Sequence, residues 1–324
     1  MIKKDPLNIT VAIPTWNRAA LLEQALQQMA GLVIPTTASV EFLVIDNNCT
    51  DNTAAVVAMY ASRLPLKCIA ETQCGSSEAR NLALSTAAGD YVLFTDDDAL
   101  VDPNWVSAFC ECARRHPTAA AIGGPIEPWF VQEPDPILAA AFPAVQSGFG
   151  GLDHGPIEKD LPRGKFLFGA NLGLNRAALG PLIFDTKLGL KGAALGYGEE
   201  TDLIQRIRDN GGKVVWCPQM RVRHYVNPAR FSLQYLKRFY EARGESWVKG
   251  SGIPPGPRLM GAPRWMWRRI VAEYAKYVYR RATLSRISSL SHVGEVWKLR
   301  GAIRQCRRAN RPDALSHGLK APNR

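Results

Sequence analysis

Apolar and polar residues alternate in blocks along the first 125 positions. Ile9 to Ile13 is a short apolar run closed by Pro14. Leu21, Leu22, Ala25, Leu26 and Met29 then recur at the three-and-four spacing of a helix with one buried face. Val40 to Ile45 is a second apolar run. It is followed by the polar cluster Asp46-Asn47-Asn48-Cys49-Thr50-Asp51 and by a helical stretch rich in Ala and Val. Leu66 to Ala70 reads as a third strand, Glu78 to Ala88 as a helix with Ala79, Leu82, Ala83 and Thr86 on one face, and Tyr91 to Thr95 as a fourth strand. Pro103 opens the next helix at a position that tolerates proline, and Ala119 to Ile122 is a fifth strand. Strands about 25 residues apart with helices between them predict an α/β fold with a doubly wound, mostly parallel sheet. Ligands of such sheets lie beyond the carboxyl ends of the strands. This chain puts Thr15-Trp16-Asn17-Arg18, Asp46 and Asp96-Asp97-Asp98 there.

The pattern loosens from Glu127 to Gly164, where Pro and Gly are frequent, and resumes from Phe166 to about Val226. Beyond Pro228 the chain reads as helices rich in Arg and aromatics, interrupted by a hinge or linker at Gly250 to Pro257. Two regions are therefore expected, 1–230 and a helical C-terminal extension, 231–324. Charge separates them as well. Residues 221–324 hold 23 Lys and Arg against 5 Asp and Glu, a net of +18, leaving 17 against 24, a net of −7, for residues 1–220. An acidic body argues against nucleic acid as the ligand, and a basic tail suggests an anionic surface nearby.

The 46% hydrophobic content is that of a globular chain with a core. The segment after Met1 has no leader-like apolar run, and Ile137 to Val145 is only about half a membrane span. A cytoplasmic protein, peripheral on the inner membrane face, is expected. The seven cysteines have no repeating spacing, and no second close pair joins Cys110 and Cys112 to make a zinc site. They read as reduced core thiols.

Three adjacent carboxylates at a strand end repel one another unless a cation or many donors sit among them. Asp96 and Asp98 share a face of an extended segment, and hard ions such as Mg²⁺ or Mn²⁺ take oxygen ligands of this kind. The ordered set Pro14-Thr15-Trp16-Asn17-Arg18, the strand ending in Asp46, Gly75 through Ala79-Arg80-Asn81, and Asp96-Asp97-Asp98 resembles the family 2 glycosyltransferases of GT-A fold. Gly169-Ala170-Asn171 and Gly198-Glu199-Glu200-Thr201-Asp202-Leu203 are similar to that family's acceptor-side segments, so the resemblance covers roughly residues 7–245.

The resemblance implies inverting transfer of a sugar from a nucleotide-diphosphate donor to a hydroxyl of a glycan or lipid-linked acceptor. It implies that Pro14, Thr15, Arg18, Asp46, Arg80, Asp96 and Asp97 bind the donor nucleotide. Asp98, with Asp96 and His224, would hold a divalent metal, Mn or Mg. It further implies acceptor contacts at Gly169, Ala170 and Asn171 and a catalytic base among Glu200, Glu199 and Asp202. The family usually has Asp where this chain has Glu200, one methylene longer. Trp129, Phe168 and Trp216 are candidates for stacking on sugar or base.

Gln205-Arg206-Ile207-Arg208 departs from the Gln-x-x-Arg-Trp of processive synthases. A sugar-nucleotide nucleotidyltransferase would want a Gly-rich loop after the first strand, and a binding protein would leave two acidic clusters unexplained. In the tail, Met266, Trp267, Ile270, Val271, Tyr274, Tyr277 and Val278 fall on one side of a helical wheel and Arg268, Arg269, Lys276 and Arg280 on the other. A helix of this kind can lie in an anionic membrane interface.

Overall fold

The computed structural model describes residues 6–132, 149–189, 198–230, 232–283 and 286–310. The leader reading at Met1 to Asp5 and the apolar run Ile137 to Val145 lie outside them.

Described residues of 6–131, 150–189 and 199–226 belong to one compact unit and those of 227–310 to a second. The first unit is an α/β sheet of eight strands: β1 (Leu7–Thr15), β2 (Ala38–Asp46), β3 (Leu66–Ala70), β4 (Tyr91–Phe94), β6 (Ala119–Gly123), β8 (Lys159–Asp160), β9 (Leu172–Asn175) and β10 (Lys213–Trp216). Their spatial order is β3-β2-β1-β4-β9-β6-β10-β8. β1 runs parallel to β2 and β4, as do β2 to β3 and β10 to β6. β9 runs against both β4 and β6, with Phe94 opposite Leu172. A smaller sheet holds β5 (Ala99–Val101), β11 (Val222–Tyr225) and β7 (Ile126–Trp129) in the order β5-β11-β7.

Strand residues alternate between two cores. Ile9, Val11, Ile13, Phe42, Val44 and Leu93 join one apolar cluster, while Ala12, Leu43, Ile45, Val92 and Phe94 join the other. The period of two sends successive side chains to opposite faces, and both faces are covered, as parallel sheets require. Helix α1 (Ala19–Met29) closes the first core with Leu22, Ala25, Leu26 and Met29. α2 (Thr53–Tyr60) and α4 (Trp105–Arg115) add Val56, Val57, Trp105 and Phe109 to it. α3 (Ser76–Thr86) buries Ala79 and Ala83 as its pattern predicts, but also Ser77, Glu78 and Arg80. A buried arginine demands nearby anions.

In the second unit, α6 (Leu233–Ser251) packs on α8 (Arg286–Ala309), and α7 (Arg264–Thr283) packs on α8 as well. A Cβ on Gly244 would overlap the Lys298 carbonyl, and one on Gly301 the Glu241 carbonyl. Two glycines thus let the backbones of α6 and α8 touch. Of the expected hinge or linker at Gly250–Pro257, the first two residues end α6, which is capped at Gly252 with φ +74°, and the rest runs without regular structure to the hairpin β12 (Arg258–Leu259) and β13 (Ala262–Pro263). Ile253 within it packs on Val248 and Met266, so the segment is held inside the unit. Among the described residues no helix is long and apolar enough to cross a membrane.

Candidate active site

The sheet brings three loop tips to one rim. Thr15 pairs with Asp46 in the register of β1 and β2, and β4 ends beside them. The Thr15 hydroxyl donates to Asp97 Oδ2 at 2.8 Å, and one Arg18 nitrogen bridges Asp97 Oδ1 at 3.0 Å and Asp98 Oδ2 at 2.7 Å. Asp46 Oδ1 accepts from the Cys49 amide at 2.7 Å, forming the turn that ends β2. Pro14, opposite Ile45, carries the strand to this edge.

Asn47 was not singled out by the sequence reading beyond its place in a polar cluster. It is buried, and its amide donates to the Glu71 and Gln73 carbonyls while its oxygen accepts from the Gly75 amide at 2.8 Å. It fastens the end of β2 to the start of α3.

His224, on β11, faces the aspartates, with Nε2 3.1 Å from Asp98 Oδ1 and 3.5 Å from Asp96 Oδ2. Asp96, Asp98 and His224 offer ligand atoms all within 4.8 Å of one another. Burial alone would lower the imidazole pKa, but the charges of Asp98 and Asp96 outweigh it and push it up to about 10. Burial, then the adjacent Asp98 charge, push Asp97 up to about 7 against the pull of Arg18 and Thr15. Burial acts the same way on Asp96, but His224 and Arg80 hold it below the usual carboxylate range.

The second acidic cluster opens α5 (Glu199–Asp209). Arg80 reaches it from α3. One guanidinium nitrogen lies 2.9 Å from Glu199 Oε1 and 3.4 Å from Glu200 Oε1, and another lies 3.3 Å from Asp96 Oδ1. Its plane packs over Phe184 at 5.7 Å. Arg80 therefore joins the two clusters. Glu199 is taken up further by the Ser76 hydroxyl at 3.1 Å. Burial, then the charge of Glu199, push Glu200 up to about 7, although Arg80 opposes the shift. Asp202 sits apart, its carboxylate paired with Arg206 one helical turn on.

The segment Gly169–Asn171 is a tight 3-10 turn before β9. The Gly169 amide donates to Glu200 Oε1 at 3.2 Å, and a Cβ at this position would overlap the Arg80 guanidinium. Ala170 belongs to the apolar core. The Asn171 amide group is wholly buried, donating to the Pro125 and Met220 carbonyls and accepting from the Trp105 indole. These two side chains thus face the interior, where they brace the turn, and Gly169 is the member beside Glu200. Trp216 is a core residue that donates to the Gly155 carbonyl.

Another set of donors meets away from this rim. Cys112 and Cys217, both buried, lie with Glu158 so that their ligand atoms are within 4.8 Å of one another. The sequence offered no second close cysteine pair, and the fold supplies a distant one. Glu158 is already gripped by Arg115 at 2.9 and 2.7 Å.

This sheet, with its acidic rim, has the architecture of the GT-A fold. Residues 10–128 match the family model "Glycosyl transferase family 2". The chain is a glycosyltransferase, similar to family 2 over that segment. It is 27% identical over 248 residues to the succinoglycan biosynthesis protein ExoM of Rhizobium meliloti, covering 72% of each chain. It is 26% identical over 165 residues to a glucosyl-dolichyl phosphate glucuronosyltransferase of Haloferax volcanii, covering 50% of this chain and 51% of that one. Among solved structures, a mannosyltransferase from Pyrobaculum calidifontis in complex with GDP-Man and Mn²⁺ has a TM-score of 0.56 at 20% identity. That match covers 96% of this chain and 88% of the other.

Proposed function

We propose that the chain moves a sugar, with inversion, from a nucleoside diphosphate donor to a hydroxyl of a glycan or lipid-linked acceptor. The observation that carries this reading is the shared Arg80, which ties Asp96 on the donor-side loop to Glu199 and Glu200 at the head of α5. Donor chemistry and proton abstraction need to meet within a few ångströms, and one guanidinium spans the two.

Thr15, Arg18, Asp46 and Asp97 would receive the nucleotide along the rim, with Pro14 shaping its wall. Two carboxylates and an imidazole suit a hard or borderline divalent cation, so Asp96, Asp98 and His224 would hold Mn²⁺ or Mg²⁺. When bound, such an ion offsets the negative charge that builds on the departing diphosphate. Glu200 takes the acceptor proton. A carboxylate near 7 is both partly ionised at neutral pH and basic enough to accept it. Arg80 keeps the neighbouring carboxylates from repelling one another, and the Gly169 amide orients Glu200. The GDP-Man and Mn²⁺ of the Pyrobaculum structure support the donor class and the metal. The Haloferax relative, named for glucosyl-dolichyl phosphate, supports a lipid-linked acceptor. The basic C-terminal region supports peripheral attachment to the cytoplasmic face of an anionic membrane.

Nucleotide release from a panel of nucleotide sugars, with Mn²⁺ and with chelator, tests this reading. Asp98→Asn should cut turnover by orders of magnitude with little change in Tm, because the rim lies outside both apolar cores. Full activity of that variant, or of the wild type in excess chelator, overturns the metal assignment. Product NMR reads the anomeric configuration, and retention overturns inversion.

A further inference from the structure

We infer that the outward face of α7 is a binding surface for an anionic lipid membrane. Val271, Tyr274 and Val278 are 70%, 54% and 48% exposed, and Ala275 lies among them. Their spacing of three, four and seven residues draws one continuous stripe along the helix. Tyr279, 66% exposed, borders it. The opposite side of α7 is already used. Met266 is fully buried, and Trp265, Trp267 and Ile270 pack against Ala262, Leu299 and Ala302. The wheel drawn from sequence merges these into a single face, whereas the structure splits it into an inner half packed within the unit and an outer half in solvent. Contiguous apolar surface of this kind marks an interaction site.

Charge selects the occupant. Arg264 and Arg268 continue the stripe toward the start of the helix, and Arg280 flanks its far end. None of the three meets an acidic partner among the described residues. Arg269 and Lys276 are engaged by Glu295 and Glu273. The only carboxylate on α7, Glu273, is turned to Lys276 and His292. The outward face therefore combines small apolar residues, tyrosines with polar tips and unpaired guanidiniums on long stems. Such side chains bury their apolar bodies at headgroup depth while keeping charge at the phosphates. A face with cations and no anion fits an anionic lipid surface. The inference deepens the peripheral-membrane reading above and needs nothing from the catalytic one.

Flotation of the full chain with phosphatidylcholine vesicles, with and without phosphatidylglycerol, tests it. The wild type should float with the anionic vesicles at low salt and poorly with neutral ones. Val271→Glu with Val278→Glu should abolish flotation while leaving circular dichroism, Tm and nucleotide-sugar turnover unchanged, since both side chains stand in solvent. Arg268→Gln or Arg280→Gln, which cannot disturb packing, should each weaken partition about fivefold. If the double Glu variant floats as well as the wild type, the face is wrong although the peripheral reading stands. If the wild type binds neither vesicle, both fail. Equal binding to neutral vesicles overturns the anionic assignment. A wild-type dimer that the Glu pair dissolves, without flotation, makes the face an interface between copies of this chain.

Discussion

Glu200 is buried beside a second carboxylate, and the fold holds its proton more tightly than water does. Two consequences follow with definite signs. As the proposed base it must be ionised, so kcat should rise with pH through an acid limb near 7 rather than near the ordinary value of about 4.3. A raised folded pKa also means that Glu200 favours the fold fully only below its unfolded pKa, and that this contribution is lost as pH rises through about 7. Glu200→Gln should lose about 10²–10⁴-fold in transfer. Its donor affinity should be kept, and its Tm at pH 8 should equal or exceed that of the wild type, because no buried charge remains at that position. Steady-state kinetics, donor titration and melting curves at two pH values decide this, and a crippled Glu199→Gln beside an active Glu200→Gln transfers the role. Gly169→Ala should lower turnover by at least about tenfold through displacement of Arg80 and Glu200, since a misplacement near the chemistry is costly. Much of this rim is legible in the chain, because polar residues at strand ends announce themselves. The tasks of Arg80, Asn47 and Asn171 are not. Arg80 meets Glu199 across 119 positions, and no local pattern encodes a partner that distant.

At the scale of elements, the long apolar runs and the helix with one periodic face become β1, β2 and α1 as their patterns demand. β5, β7 and β11, three or four residues each, are too short to carry a period, and the reversal of β9 depends on neighbours far away in sequence. Glycine and proline at Gly250–Pro257 mark the break between α6 and the hairpin, and what they do not reveal is that the half-buried Ile253 packs against the second unit's core. The glycine contact of α6 with α8 is equally invisible without the fold. Gly301→Ala should force those backbones apart at a cost of roughly 1–3 kcal/mol. Calorimetry should show a lower melting transition while nucleotide-sugar binding persists. Unchanged melting means that the helices can separate without penalty.

For the molecule as a whole, charge and chemistry are divided: every residue named for donor, metal or base lies before Val226, and the excess of cations lies after it. Raising ionic strength shortens the screening length to about 8 Å at 0.15 M, so it should release the chain from anionic vesicles while sparing turnover on a soluble acceptor. Parallel flotation and activity series in salt test that separation, and a loss of both together denies it. The antiparallel register of β4 and β9 carries a further consequence, for chain length. Phe94 lies opposite Leu172, so the aspartates just past one strand and the Gly169 turn just before the other open onto a shared edge. One inserted residue on either side would slide the loops past each other by about 3.4 Å and turn alternate side chains to the wrong face. Reacting groups need to meet at about that same distance, so no slack remains. A library of single-residue insertions should recover active clones from surface turns and none from 95–98 or 169–171.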